Sequence, residues 1–436
     1  MSILFTNVTA VTMDPAAPLL RGAFVAVEGT QIAYVGTEQP AGAFEQVIDC
    51  TGKVMMPGFV NTHTHIPMTL LRGYGGGCDL HTWLYDYIFP AEAKLDDRAV
   101  AIGTGLGLAE MIASGVTCIA DMYAHTGAIA QEIVNAGISA NLSCGGVYFG
   151  AAEDFTPERC SDCRNQQLLT EQWHNYNDGQ IVVDASIHGE YTSNAPLWRW
   201  MADYAREHGQ RMHVHVSETQ SEHAASLERH GKTPIQILDR YGVWDNGGIA
   251  AHCVYTTAED WAVMAAKKVT AVHNPYSNLK LGSGVAPVPA MVAAGVNVSL
   301  GTDGVSSHNS TDMFADMKLT AILHGGVGCT PGVISARQAL YMATANGAAA
   351  LGRNTGVLAA GKMADLILVD FDAPNLTPCH DVEENLVFSA CGANVCMNMA
   401  RGKVIYKDGE FLTLDLERIK EEVRSYAIPL VFGTSK

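Results

Sequence analysis

Phe59-Val60-Asn61-Thr62-His63-Thr64-His65, preceded by Pro57-Gly58, is the stretch that decides the fold. Its apolar start reads as a β-strand, with two histidines two residues apart at the end. Along a strand such residues project to the same side, so His63 and His65 point together. Two neutral imidazoles side by side can share one metal, because ring nitrogens are good zinc ligands.

The pattern recurs outward from this strand. Short β-rich runs at Val116–Asp121, Ala140–Ser143, Ile181–His188, Met212–Val216, Gly248–His252, Thr270–Asn274 and Val296–Thr302 are each followed by a loop and a helix-like stretch rich in Ala, Leu and Met. With the first strand they make eight β segments alternating with helices. That is the count of a TIM-like (β/α)8 barrel, an α/β fold. A doubly wound sheet would alternate similarly, but no G-x-G-x-x-G turn follows the first strand.

The chain ends differ. Ile3–Asn7, Ala23–Glu28, Gln31–Val35 and Val47–Asp49 read as short strands punctuated by Gly29 and Gly36, and Ala364–Asp370 and Lys403–Lys407 behave alike. Neither end looks large enough to bury a core alone. The expectation is that residues 1–56 and 350–436 combine into one small composite β domain, with the barrel occupying 57–349.

Composition excludes several classes of partner. Of 436 residues, 48% are hydrophobic and 17% charged, which suits a large packed core rather than disorder. Lys+Arg 27 against Asp+Glu 45 gives a net charge of −18, an acidic balance that argues against nucleic-acid backbones and anionic membranes. The start, Met1-Ser2-Ile3-Leu4-Phe5-Thr6, has no basic region before its apolar residues and does not read as a secretory signal. No run of about 18 apolar residues predicts a membrane span. The 11 cysteines are odd in number and scattered, and Cys118, Cys253 and Cys396 sit inside apolar runs. A reducing cytoplasmic location is therefore expected. Cys160 and Cys163 form a lone C-x-x-C in a polar stretch, with no second pair to complete a zinc site.

In a barrel of this kind, functional side chains come from the C-terminal strand ends. The fifth strand reads Arg211-Met212-His213-Val214-His215-Val216. His213 and His215 share a face, and His215 lies nearer the end where a metal held by His63 and His65 would sit. His215 is the expected ligand and His213 a packed, hydrogen-bonded core histidine. The sixth strand ends in His252 and the eighth in Asp303. A carboxylate after an apolar strand is costly unless paired or metal-bound.

These residues carry a resemblance. Pro57–His65, Ala250–His252 and Leu300–Asp303 resemble the amidohydrolase superfamily. Met68-Thr69-Leu70-Leu71-Arg72-Gly73-Tyr74, Pro90-Ala91-Glu92 and His273-Asn274-Pro275-Tyr276-Ser277-Asn278-Leu279-Lys280-Leu281-Gly282 narrow it, and are similar to the 5′-methylthioadenosine/S-adenosylhomocysteine deaminases. The resemblance implies a metal-bearing barrel with a β-sandwich built from both chain ends, a small purine nucleoside as substrate, and a homo-oligomer. Two-metal members of the superfamily bridge their ions with a carboxylated lysine at the end of strand four. Here no lysine occurs between Lys94 and Lys232, and that strand ends Ile187-His188-Gly189. One metal is therefore expected, held by His63, His65, His215 and Asp303. This donor set suits zinc, with iron or manganese as alternatives.

The resemblance also implies roles. Zinc would activate water for attack on an electron-poor ring carbon bearing an amino group. Glu218, three residues beyond His215, would protonate the ring nitrogen. Asp303 would accept the proton that water loses, and His252 would orient the nucleophile and stabilise the developing alkoxide. Glu92 would hold ribose hydroxyls, while His188 and Ser307 would contact substrate. One departure matters: members binding S-adenosylhomocysteine place an arginine after strand three, where this chain has Cys144. Arg159 and Arg164, in the longer loop that follows, are the available replacements.

Two rival readings are testable. A deaminase or chlorohydrolase of a free heterocycle, guanine- or triazine-like, would leave Glu92 without a ribose to hold. A metal-free binding protein on the same barrel would not need four ligands plus Glu218. A cytidine-deaminase-type zinc site, suggested superficially by His188-Gly189-Glu190 with Cys160 and Cys163, has its elements in the wrong order and Arg159 in place of the proline.

Overall fold

The computed structural model describes residues 2–433. Met1 of the N-terminal reading and residues 434–436 of the C-terminal segment lie outside the described residues. The architecture is α/β, with parallel strands in two five-stranded sheets. One runs Asp303–Gly304, Phe59–His65, Val116–Met122, Ser139–Ser143, Ile181–Val183. The other runs Ala185–Gly189, Met212–Val216, Gly248–His252, Val269–His273, Val298–Leu300.

Adjacent strands in these sheets pair in parallel, with register shifts where Phe59–His65 meets Val116–Met122 and where Ala185–Gly189 meets Met212–Val216. Met212–Val216 matches Gly248–His252 residue for residue, from Met212 with Gly248 to Val216 with His252. An isolated parallel bridge pairs Gly146, just past Ser139–Ser143 of the first sheet, with Ile187 of the second. At the other edges, Thr62 Oγ1 donates to Leu300 O at 2.8 Å, and Asn61 Nδ2 donates to Thr302 Oγ1 at 2.8 Å. Gly301 allows this approach, because a Cβ there would stand 2.8 Å from His63 Cβ. Val60, Cys118, Ala120, Ile249 and Val272, from strands of both sheets, pack with Ala348, Ala350 and Leu351 into one buried cluster. Polar residues are thereby left to the opposite, C-terminal ends of the strands.

Two strands differ from their sequence reading. The run Ile181–His188 is broken at Asp184, whose buried carboxylate accepts from Asn141 Nδ2 at 2.8 Å. The last run stops at Leu300 and resumes at Asp303, which adopts a left-handed conformation, φ 63°.

A third, nine-stranded mixed sheet takes strands from both chain ends. Lys53–Pro57 pairs antiparallel with Leu366–Asp370, with Leu368 opposite Met55. Phe5, Val8, Val25, Leu366, Leu368 and Met399 bury a core of their own there. Lys53–Pro57 and Val395–Ala400 are also strands, although their methionine-rich sequences lack the β-branched alternation that signals one. No helix among the described residues is long and apolar enough to cross a membrane.

Candidate active site

The strand ends converge on one point. Ligand atoms of His63, His65 and Asp303 lie within 4.8 Å of one another, as do those of His63, His215 and His252. His65 Nε2 stands 3.2 Å from His215 Nε2, and Asp303 Oδ1 lies 3.4 Å from His63 Nε2 and 3.3 Å from His65 Nε2. The backbone is strained around this point: Ser217, His252, Cys253 and Asp303 all have φ between 48° and 72°. Such conformations persist only where surrounding structure imposes them.

The hydrogen bonds behind the imidazoles fix their tautomers. His65 Nδ1 donates to Met122 O at 2.5 Å and His215 Nδ1 to His188 O at 2.7 Å. In the neutral rings both Nε2 atoms are therefore lone pairs, available to a metal. For His63 the argument runs through a chain. Ser143 Oγ donates to Asp121 O at 3.3 Å, so it accepts from His213 Nδ1 at 3.3 Å. His213 Nε2 then accepts from His63 Nδ1 at 2.8 Å, and the buried His63 Nε2 is left with no hydrogen-bond partner. Three lone pairs and a carboxylate oxygen facing one another would repel unless a cation sat among them. Carbonyl-anchored imidazoles plus one carboxylate are the donor set of a divalent metal centre. His213, read as a core residue, sits behind His63 and sets its tautomer.

Glu218 is 5% exposed and its carboxyl is pushed up by burial, which favours the protonated acid. Its Oε1 accepts from Ser283 Oγ at 3.0 Å, and its Oε2 lies 3.7 Å from His252 Nε2. His252 Nδ1 donates to Asn278 Oδ1 at 2.8 Å, and the ring lines the cavity. Thr219 caps the helix Gln220–His230, and Glu222 folds back so that its two oxygens accept from the amides of Ser217 and Glu218, each at 2.8 Å.

These groups open into a cavity of about 250 Å³, whose walls include Trp83, Phe89, Tyr123, Val147, Tyr191 and Leu281. His65, His215, Glu218, His252 and Asp303 line it at one side, and Glu92 and His188 also line it. Burial pushes the His188 imidazole down to about 3, so the ring is neutral, and its Nδ1 shares a hydrogen bond with Thr192 Oγ1 at 3.1 Å. Glu92 Oε1 accepts from Tyr123 Oη at 2.5 Å, a partner the sequence did not signal.

Ser307 departs from its expected place. It is buried, does not line the cavity, and donates to Asp303 Oδ2 at 3.1 Å and Gly304 O at 3.0 Å. The short helix Val305–His308 turns its hydroxyl back onto the carboxylate, which also accepts from Ser277 Oγ at 2.6 Å. Cys144 lines the cavity, its thiol pushed up to about 12 by burial. Arg159 and Arg164 are exposed and line no part of the cavity; Arg164 Nη1 donates to Glu158 O at 2.7 Å. Among the described residues lining the cavity there is no lysine or arginine. Cys160 and Cys163 are buried free thiols where the helix Ser161–Trp173 begins.

The amidohydrolase family matches residues 54–405. The 5′-deoxyadenosine deaminase of Methanosarcina mazei is 40% identical over 430 residues, covering 98% of each chain. The 5-methylthioadenosine/S-adenosylhomocysteine deaminase of Moorella thermoacetica is 40% identical over 434 residues, covering 97% of this chain and 98% of its own. Among solved structures, an adenosine deaminase from Xanthomonas campestris with bound zinc superposes with a TM-score of 0.91 at 31% identity, covering 98% of each chain.

Proposed function

This chain belongs to the amidohydrolase family, and from that premise we propose that it is a metal-dependent deaminase of adenine nucleosides of the 5′-deoxyadenosine, 5′-methylthioadenosine, S-adenosylhomocysteine or adenosine type. It is a hydrolase of C–N bonds that releases ammonia and the inosine analogue. The observation that carries this reading is the convergence of three bare imidazole nitrogens and the Asp303 carboxylate beside the buried acid Glu218, at one side of a largely apolar cavity.

The two five-stranded sheets are read as arcs of one (β/α)8 barrel over 57–349. The Gly146–Ile187 bridge and the Thr62–Leu300 contact support closure. The sheet drawn from 1–56 and 350–436 is read as a composite β-sandwich.

His63, His65, His215 and Asp303 would hold one metal, zinc in this reading. Bound there, it supplies Lewis-acid activation of water at neutral pH. His252 orients the water through Nε2, its ring held by the Nδ1 hydrogen bond to Asn278 Oδ1. Asp303, held on Oδ2 by Ser277 and Ser307, takes the proton that water loses and passes it to the departing amine. Glu218 protonates the ring nitrogen beside the attacked carbon and recovers a proton when the new carbonyl forms. Water is consumed, ammonia leaves, and both carboxyl groups end as they began. Glu92, oriented by Tyr123, accepts from the ribose hydroxyls, and neutral His188 contacts the sugar side of the substrate.

The cavity also ranks the substrates. The amino-acid tail of S-adenosylhomocysteine would bring a carboxylate into a space with no lysine or arginine on its walls. An arginine–carboxylate hydrogen bond contributes roughly 1.5–3 kcal/mol, so its absence should cost about 10–100-fold in kcat/KM. 5′-Methylthioadenosine, 5′-deoxyadenosine or adenosine should therefore be preferred. Ammonia release measured across these nucleosides, free guanine and triazines tests both the reading and the ranking. Turnover of free bases alone would overturn the nucleoside assignment. A preference for S-adenosylhomocysteine that disappears in Arg159→Ala or Arg164→Ala would show an arginine reaching the site.

A further inference from the structure

Ten consecutive residues, Asn274 to Ser283, supply hydrogen bonds to three separate groups of the site. Asn274 Oδ1 accepts from the His252 amide at 3.3 Å, Ser277 Oγ donates to Asp303 Oδ2 at 2.6 Å, and Asn278 Oδ1 accepts from His252 Nδ1 at 2.8 Å. Ser283 Oγ donates to Glu218 Oε1 at 3.0 Å. All four side chains are buried, Ser283 being 3% exposed. Buried hydroxyls and amides need partners, but here each partner is a group that the proposed reaction uses.

Ser283 is anchored through its own main chain. Its amide donates to Asn278 O at 2.8 Å, and its carbonyl accepts from Tyr255 Oη at 2.8 Å. Its hydroxyl therefore has a defined origin. On the other side, Glu222 clamps the amides of Ser217 and Glu218, so the Glu218 main chain is also fixed. What remains free is the rotation that exchanges the two carboxyl oxygens. A protonated carboxyl has one hydroxyl oxygen and one carbonyl oxygen. The oxygen that accepts from Ser283 is the carbonyl oxygen, and the proton is left on Oε2. Oε2 is the oxygen 3.7 Å from His252 Nε2, on the side where the ligand atoms converge.

We infer that Ser283 is a positioning residue for Glu218, holding the transferable proton on Oε2 where it faces the substrate ring. The inference rests on the deaminase reading with Glu218 as proton donor. Ser283 touches no reacting atom; it removes the rotamer in which the acid presents its carbonyl oxygen to the ring.

The experiment measures kcat, KM, metal content and the solvent deuterium isotope effect for Ser283→Ala, Ser283→Thr and Glu218→Gln, with the best nucleoside of the panel. Ser283→Ala should lose about tenfold in kcat, the scale of one hydrogen bond to an ionisable group, with KM within about twofold and metal content unchanged. Its isotope effect should rise, because proton delivery becomes more rate-limiting. Ser283→Thr, which keeps the hydroxyl, should restore most of kcat. A normal kcat in Ser283→Ala overturns the inference while leaving the deaminase reading intact. So does a loss seen in KM or metal content instead of kcat, or a loss that Thr fails to restore at full metal content. Full activity in Glu218→Gln would instead overturn the reading on which the inference rests.

Discussion

Glu218→Gln is expected to retain its metal and lose roughly 10²–10⁴-fold in kcat, the usual contribution of a positioned proton donor. The substitution is nearly isosteric, and Oε1 can still accept from Ser283. What it removes is the acid itself. Burial pushes the Glu218 carboxyl up, which favours the protonated acid. A form needed protonated is lost as pH rises through that raised value, so the native rate should fall on the basic side of its profile. Steady-state kinetics with metal analysis check this. Near-normal kcat in the glutamine variant would mean that the ring proton comes from elsewhere.

Stripping the metal should have an even larger effect, reducing turnover to background while the protein stays folded. About one ion per chain is expected, because the strand ending in His188 offers no lysine to bridge a second. The site lies at the strand ends, whereas the cores around Val60, Cys118, Ile249 and Val272, and around Phe5, Val25 and Leu368, are apolar and contain no ligand. Hydrophobic burial of that extent does not need the ion. Elemental analysis and thermal unfolding before and after chelation decide the matter. Asp303→Asn should weaken both retention and rate, since Oδ1 faces His63 and His65 while Oδ2 is held by two serines. Two tightly held ions, or unfolding on chelation, would contradict this account.

The sequence by itself determined what local periodicity determines. Alternation along Phe59–His65 puts two imidazoles on one face, and apolar runs ending in His215, His252 and Asp303 mark where polar groups leave the strands. Parallel pairing then carries those ends to one side, so the candidate ligands are legible in the sequence pattern. Tertiary structure alone decided the rest, because it depends on partners distant in the chain. Ser283 reaches Glu218 across 65 residues and His213 reaches His63 across 150. Neither contact leaves a periodic trace. Ser307 reads as a loop residue near a ligand, and only its turn back onto Asp303 shows which way the hydroxyl points. Cys144, Arg159 and Arg164 read as an open question about a carboxylate. In the fold both arginines lie in solvent, where each guanidinium keeps its hydration, and neither lines the mainly apolar cavity.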